Sequence, residues 1–158
     1  MLAKAVSMLR RDLDFTLELR GAFDDEDVRR FRRLSRNDAR VRFEPAVPPV
    51  EVPRVLESYD VLICPSLALE GGPTVALEAH AVGTPVIGSR IGGLAEIVED
   101  GVNGLLLPPG DALSLARAME RVLTDGGSTL ERFRARLPKP RTMDDIVEDY
   151  LRIYDPPR

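Results

Sequence analysis

The chain has 158 residues, the size of one compact domain with a real core and short for two. Hydrophobic residues at 44% and charged residues at 30% exclude a disordered chain, and no apolar run nears the roughly 18 residues that span a bilayer. The net charge of −4 gives the whole molecule no pull on nucleic acid, and residues 1 to 6 lack the apolar core and cleavage site of a signal peptide, so the expected compartment is the cytoplasm.

Residues 1 to 11 read as a helix with Leu2, Ala5, Val6 and Leu9 on one face, and residues 14 to 19 as a strand. Residues 24 to 36 open with four acids and continue with five arginines, an order that complements a helix dipole. Asp25 with Arg29 and Glu26 with Arg30 stand at i,i+4 pair spacing, while Val28, Phe31 and Leu34 take core spacing. This is a solvated helix face, since a nucleic-acid groove would interleave more aromatics among the bases. A strand at 41 to 44 and a short helix at 52 to 59 come next. The apolar strand at 61 to 64 holds the single cysteine, Cys64, which reads as a small core residue. A helix at 74 to 82, a strand at 85 to 88, a short helix at 94 to 98 and a strand at 105 to 107 continue the alternation. Asp111 then caps a helix carrying Leu115, Ala116, Met119, Val122 and Leu123. Two amphipathic helices, 128 to 137 and 143 to 154, are parted by Pro138-Lys139-Pro140.

Strands alternating with helices, with apolar residues running through the strands, imply an α/β fold: a Rossmann-like, doubly wound parallel sheet covered on both faces. The expected division is a nucleotide-binding unit over residues 1 to 124 and C-terminal helices over 125 to 158 that pack on it or cross from it. Ligands in such sheets bind beyond the carboxyl ends of the strands.

One such end carries chemistry. After Cys64 the chain reads Pro65-Ser66-Leu67-Ala68-Leu69-Glu70-Gly71-Gly72-Pro73-Thr74 and enters a helix with Val75-Ala76-Leu77-Glu78. Two glycines admit a ligand to the backbone, Pro73 suits a first helical turn, and the free amides there form an anion seat. Glu70 lies in the loop and Glu78 about one turn into the helix, so both carboxylates can face one crevice with the anion seat between them. Carboxylates accept from hydroxyls and repel phosphate, so sugar rings flanking a phosphate fit this arrangement. A glycosidase pair would instead flank the scissile bond directly. His80, the only histidine, turns away from the Glu78 face and reads as packing. Arg90 could meet phosphate from the loop after the strand at 85 to 88, or face solvent.

The run continues through Gly83-Thr84-Pro85-Val86-Ile87-Gly88-Ser89, Gly92-Gly93-Leu94-Ala95-Glu96-Ile97-Val98 and Asp100-Gly101-Val102-Asn103-Gly104-Leu105-Leu106-Leu107-Pro108-Pro109-Gly110-Asp111. From Tyr59 to Asp111 it resembles, without a gap, the retaining group-1 glycosyltransferases. The resemblance implies the C-terminal, donor-binding half of a GT-B fold, in which two Rossmann-like domains face a cleft. Carried over by residue, it implies that Glu70 is the catalytic-site acid turned toward donor-sugar hydroxyls and that Glu78 binds ribose hydroxyls. It implies that the backbone of Gly71, Gly72, Pro73, Thr74 and Val75 meets the sugar and diphosphate, and that Ala46 and Val47 approach the nucleobase through their backbone. The family often has an aromatic and a glycine where Gly72 and Pro73 stand here. Gly92-Gly93 would keep the neighbouring loop small, and Glu96 would brace the fold.

Family members open this domain with a strand ending in glycine and arginine, followed by lysine, whose charges neutralise the diphosphate. This chain is expected to begin after that strand, whose place would be between the strands at 14 to 19 and 61 to 64. The N-terminal acceptor-binding domain is also expected to lie elsewhere, so the chain alone would not transfer sugar. The implied reaction moves a sugar from a nucleotide diphosphate donor to a hydroxyl with retention, needs no metal or other cofactor, and involves no nucleic acid and no transmembrane segment. Peripheral attachment at the inner face of the membrane is compatible with it. Arginine outnumbers lysine 20 to 2, a bias associated with GC-rich bacteria, where such enzymes build surface polysaccharide. The alternatives are a non-catalytic sugar-nucleotide-binding module and a fragment of a GT-B-like sugar-nucleotide epimerase, which would bring its own catalytic acids and histidines.

Overall fold

A computed structural model describes residues 1–69 and 71–154. In chain order the elements are α1 (Leu2–Val6), β1 (Leu17–Arg20), α2 (Asp25–Leu34), β2 (Val41–Glu44), a 3-10 turn (Pro49–Glu51), α3 (Val52–Glu57), β3 (Leu62–Cys64), α4 (Thr74–Ala81), β4 (Val86–Ser89), α5 (Leu94–Ile97), β5 (Gly104–Leu107), α6 (Ala112–Thr124), α7 (Ser128–Arg134) and α8 (Met143–Tyr154). Every strand pairing is parallel. β1 pairs β2 from Leu17 opposite Val41 to Arg20 opposite Glu44, and β3, β4 and β5 form a second ladder with β4 central.

The central sheet is a two-sided layer, and alternation along its strands divides the core. Ile63, Ile87, Leu105 and Leu107 face a cluster built with α1, α6 and α7, including Val6, Leu115, Met119, Leu130 and Phe133. Leu62, Cys64, Val86 and Leu106 face the opposite cluster with Leu56 of α3, Ala76 and Ala79 of α4, and Leu94 of α5. Burial on both faces is why these strands read as uninterrupted apolar runs. Gly104 shows how tightly the ladder closes: a Cβ there would stand 2.3 Å from the carbonyl oxygen of Val86. The preceding turn is held by its own polar residues, with Asn103 accepting from the Glu99 amide at 2.9 Å and Asp100 from the Leu106 amide at 2.9 Å.

The doubly wound sheet is interrupted where the resemblance places a further strand. No ladder joins β1 to β3 among the described residues. Their edges face each other across a hollow: Leu17, Glu18 and Arg20 of β1 and Ile63 of β3 line both a cavity of about 870 Å³ on the α6 side and one of about 480 Å³ on the α3 side. On one face the two sheets nevertheless share a core, for Leu17 and Val41 of the smaller sheet pack on the same cluster as Ile87 and Leu105. Parallel pairing is seldom stable in a two-stranded sheet alone, and here shared helices hold the smaller sheet to the larger.

Several sequence expectations are corrected. The first helix stops at Val6 instead of reaching residue 11. The Ser7 hydroxyl donates to the Lys4 carbonyl at 2.8 Å, and Met8 and Leu9 donate three residues back, which tightens the chain into a turn. Arg40 then takes the Arg10 and Leu13 carbonyls at 2.9 and 2.7 Å. The first strand begins at Leu17 and not at residue 14, because β2 offers no partner before Val41. In α2 no residue is buried. Phe31 packs edge-on against Phe43, whose other neighbour is Phe23, but Leu34 is exposed. Neither Asp25–Arg29 nor Glu26–Arg30 closes as an ion pair among the described residues; exposed pairs of this kind gain little over hydration. Asp24 caps this helix instead, accepting from the Asp27 amide at 2.8 Å. Asp111 caps α6 as expected, accepting from the Leu113 and Ser114 amides at 3.0 Å each.

Candidate functional site

The carboxyl ends of β1, β2 and β3 open on the 480 Å³ cavity. Leu19 and Arg20 enter it from β1, Ala46 and Val47 from the loop after β2, Pro65 from the end of β3, and Val75 from the first turn of α4. Expected site residues from two distant stretches of the sequence, Ala46 with Val47 and Val75, therefore line one cavity.

Pro73 is the N-cap of α4, with φ −69° and ψ 109°, and among the described residues no side chain caps this end. The first-turn amides, Thr74 and Val75 foremost, are left to an outside acceptor, and the helix dipole adds positive potential there. Gly71, Gly72 and Thr74 are exposed and Pro73 half-buried. The loop leading to the helix leans on Gly93: a Cβ at that position would be 2.3 Å from the Gly71 carbonyl oxygen and 2.7 Å from the Gly72 Cα. Gly93 thus fixes how close the loop comes to the start of α5, in line with the small-turn role expected of it. Glu70 lies outside the described residues.

Glu78 is exposed, one turn further along α4, and the expectation that it faces the crevice of the anion seat is corrected: it lines a different hollow of about 950 Å³ that Glu96 and residues between 138 and 146 also line, not the 480 Å³ cavity. Glu96 is itself exposed, and nothing among the described residues lets it brace the fold. His80 is buried, and neither ring nitrogen has a hydrogen-bond partner among the described residues. Burial alone lowers its pKa, since the charged ring would lose its hydration. It is a packed side chain whose burial favours the uncharged ring. Arg90 is tied down: its guanidinium pairs with Asp100 and donates to the Leu106 carbonyl at 3.2 Å, and its backbone amide donates to the Leu107 carbonyl at 2.7 Å. It staples β4 to β5 and leaves the anion seat to the α4 amides.

Two features escaped sequence reasoning. The Ser89 hydroxyl, fully buried at the carboxyl end of β4, has no hydrogen-bond partner among the described residues. At the carboxyl end of β1, Glu18 and Arg20 join Tyr59 in a polar cluster. Arg20 donates to the Glu18 carboxylate at 3.0 Å, and the Tyr59 hydroxyl donates to the same oxygen. The Tyr59 hydrogen bond, with Arg20 behind it, holds the Glu18 pKa below its ordinary value, while burial pushes that of Tyr59 up. The only local signal for the cluster was two opposite charges alternating along a strand.

A family described as "Glycosyl transferases group 1" matches residues 1–125 of this sequence. The chain belongs to this family. It is 37% identical over 117 residues to the D-inositol 3-phosphate glycosyltransferase of Salinispora tropica, a match covering 73% of this chain and 24% of that protein. Sucrose-phosphate synthase from Thermosynechococcus elongatus superposes with a TM-score of 0.76 at 29% identity, over 97% of this chain and 40% of that one. Anabaena HepE, solved in complex with UDP and glucose, superposes with a TM-score of 0.75 at 24% identity, over 95% of this chain and 43% of that one. The chain has the α/β architecture of GT-B glycosyltransferases and spans about a quarter of the length of the Salinispora relative. No described helix is long and apolar enough to cross a membrane.

Proposed function

We propose that this group-1 glycosyltransferase chain binds the nucleotide diphosphate sugar donor, as the part of a longer enzyme that transfers the sugar to a hydroxyl acceptor with retained configuration. The observation that carries this reading is the convergence of Ala46, Val47 and Val75 on one cavity beside the uncapped end of α4. In the proposed complex the base lies against the backbone of Ala46 and Val47. The diphosphate meets the amides of Gly72 to Val75, with Gly71 allowing close approach. Glu78 accepts from the ribose hydroxyls and Glu70 from the donor sugar. As the glycosidic bond to the diphosphate breaks, negative charge grows on the leaving oxygens. Fixed amides at a helix terminus stabilise that charge without a metal. Residues 1 to 124 would form the donor-binding unit and residues 125 to 158 its C-terminal helices. Synthesis of bacterial surface polysaccharide, in the cytoplasm or at the inner face of the membrane, is the setting proposed.

Calorimetric titration with UDP, GDP and ADP and their glucose conjugates, with and without EDTA, tests the reading. One nucleotide is expected to bind saturably regardless of chelator. Glu78→Ala should weaken that binding by at least about tenfold, the cost of a charged hydrogen-bond acceptor. Failure of all six ligands to bind, or full affinity in the variant, would refute it. Turnover is expected only when the acceptor-binding domain is present.

A further inference from the structure

We infer that Arg20 is the positioning residue of the Ala46–Val47 loop and thereby governs which nucleobase the donor site accepts; this rests on the proposed function. The β1–β2 ladder ends at Arg20 opposite Glu44, so the chain leaves the sheet at Pro45. Proline offers only its carbonyl to a partner. That carbonyl accepts from the Arg20 Nη1 at 3.3 Å, and no other hydrogen bond holds residues 45 to 47 among the described residues. Beyond its covalent continuation from Glu44, whose carbonyl accepts from the Gly21 amide at 3.1 Å, the loop that would meet the base is thus tied to the sheet by one guanidinium group.

Arg20 is itself immobilised. Its Nε donates to the Tyr59 hydroxyl at 3.2 Å and its Nη2 to the Glu18 carboxylate at 3.0 Å, while Tyr59 closes the ring by donating to Glu18. Three directions of one rigid plane are assigned to three partners, a task that a lysine ammonium, free to swing on its stem, performs poorly. The side chain is largely shielded, 27% exposed. Because Glu18 neutralises its charge at contact distance, Arg20 is committed to holding the protein together and is no free cation for a diphosphate. A base read through backbone atoms needs those atoms placed to within about 0.5 Å. Arg20 fixes the residue directly before them.

The test is base discrimination, measured by calorimetric titration of UDP, GDP and ADP into the wild type, Arg20→Lys, Arg20→Met and Tyr59→Phe, with melting temperatures alongside. Arg20→Met should weaken the preferred nucleotide by about tenfold or more and the least favoured by less than about threefold, so the preference collapses. Arg20→Lys should fall between, and Tyr59→Phe should move the ratio in the same direction. Amide exchange at Ala46 and Val47 should quicken in step. If Arg20→Met does not fold, the ratio is read from the other two variants. An equal loss for all three nucleotides, or an unchanged preference in the folded variants, would overturn the assignment while leaving the proposed function standing. A wild type that binds none of the three overturns both.

Discussion

Gly93→Ala separates two opposed effects of one methyl group. Gly93 has φ −60° and ψ −20°, a helical conformation that alanine adopts freely, so chain entropy alone predicts stabilisation of about 0.4–1 kcal/mol. The methyl carbon, however, would stand 2.3 Å from the Gly71 oxygen and 2.7 Å from the Gly72 Cα. Both are backbone atoms that no rotamer change can move aside. Ordinary contact needs about 3.5 Å, so the loop must retreat by on the order of 1 Å. Overpacking at this scale costs roughly 1–3 kcal/mol, for a net destabilisation between about 0 and 2.6 kcal/mol after the entropic gain. The same displacement moves the amides ahead of α4, and nucleotide affinity should fall by about tenfold or more. Urea unfolding and titration with the preferred nucleoside diphosphate measure the two quantities. A variant more stable than wild type with unchanged affinity would refute the close packing of this loop on α5.

His80 makes stability depend on pH in a defined direction. Its folded-state pKa is depressed by burial, so the unfolded chain takes up the proton first; the fold keeps its full stability above the ordinary histidine value of about 6.5 and loses it as pH falls below. His80→Met should be less sensitive between pH 7.5 and 5, read as a smaller drop in the urea midpoint, and an identical drop in both proteins would contradict this. The buried Thr84 hydroxyl donates to the Leu56 carbonyl at 2.8 Å, tying the end of α3 to the turn before β4. Thr84→Val keeps the shape and removes this bond, while the Leu56 carbonyl keeps the Tyr59 amide as a donor at 3.1 Å; it should cost about 0.5–1.5 kcal/mol in urea unfolding without altering the preferred base.

What could be read from the sequence was what is encoded locally. The strand at Val41–Glu44 and the helix at Met143–Tyr154 match their expected bounds because period-two and helical patterns are complete within each segment. The cap at Asp111 was equally local. Residues 7 to 11 failed for the converse reason: Leu9 is buried and keeps helical spacing, but its path is set by Ser7 and by Arg40, thirty residues away. The interruption between β1 and β3 was foreseen from family resemblance, since pairing between strands leaves no mark on either strand alone. Ala46, Val47 and Val75 were likewise placed through resemblance, and the fold brings them to one cavity. The Glu18–Arg20–Tyr59 cluster went unseen because Tyr59 read as the end of a helix and nothing in its neighbours announces a partner on β1.

The interrupted sheet has a mechanical consequence. β1 and β2 form one plate and β3 to β5 another, joined through helices and not through a continuous ladder. Ala46 and Val47 ride on the first plate, and the α4 amides on the second. A donor gripped at its base by one and at its diphosphate by the other would act as a tie-rod across the seam, damping their relative motion. Ligand affinity and domain rigidity would then be the same variable, and occupancy would be felt in amide exchange along β1 and β3, well away from any atom the ligand touches.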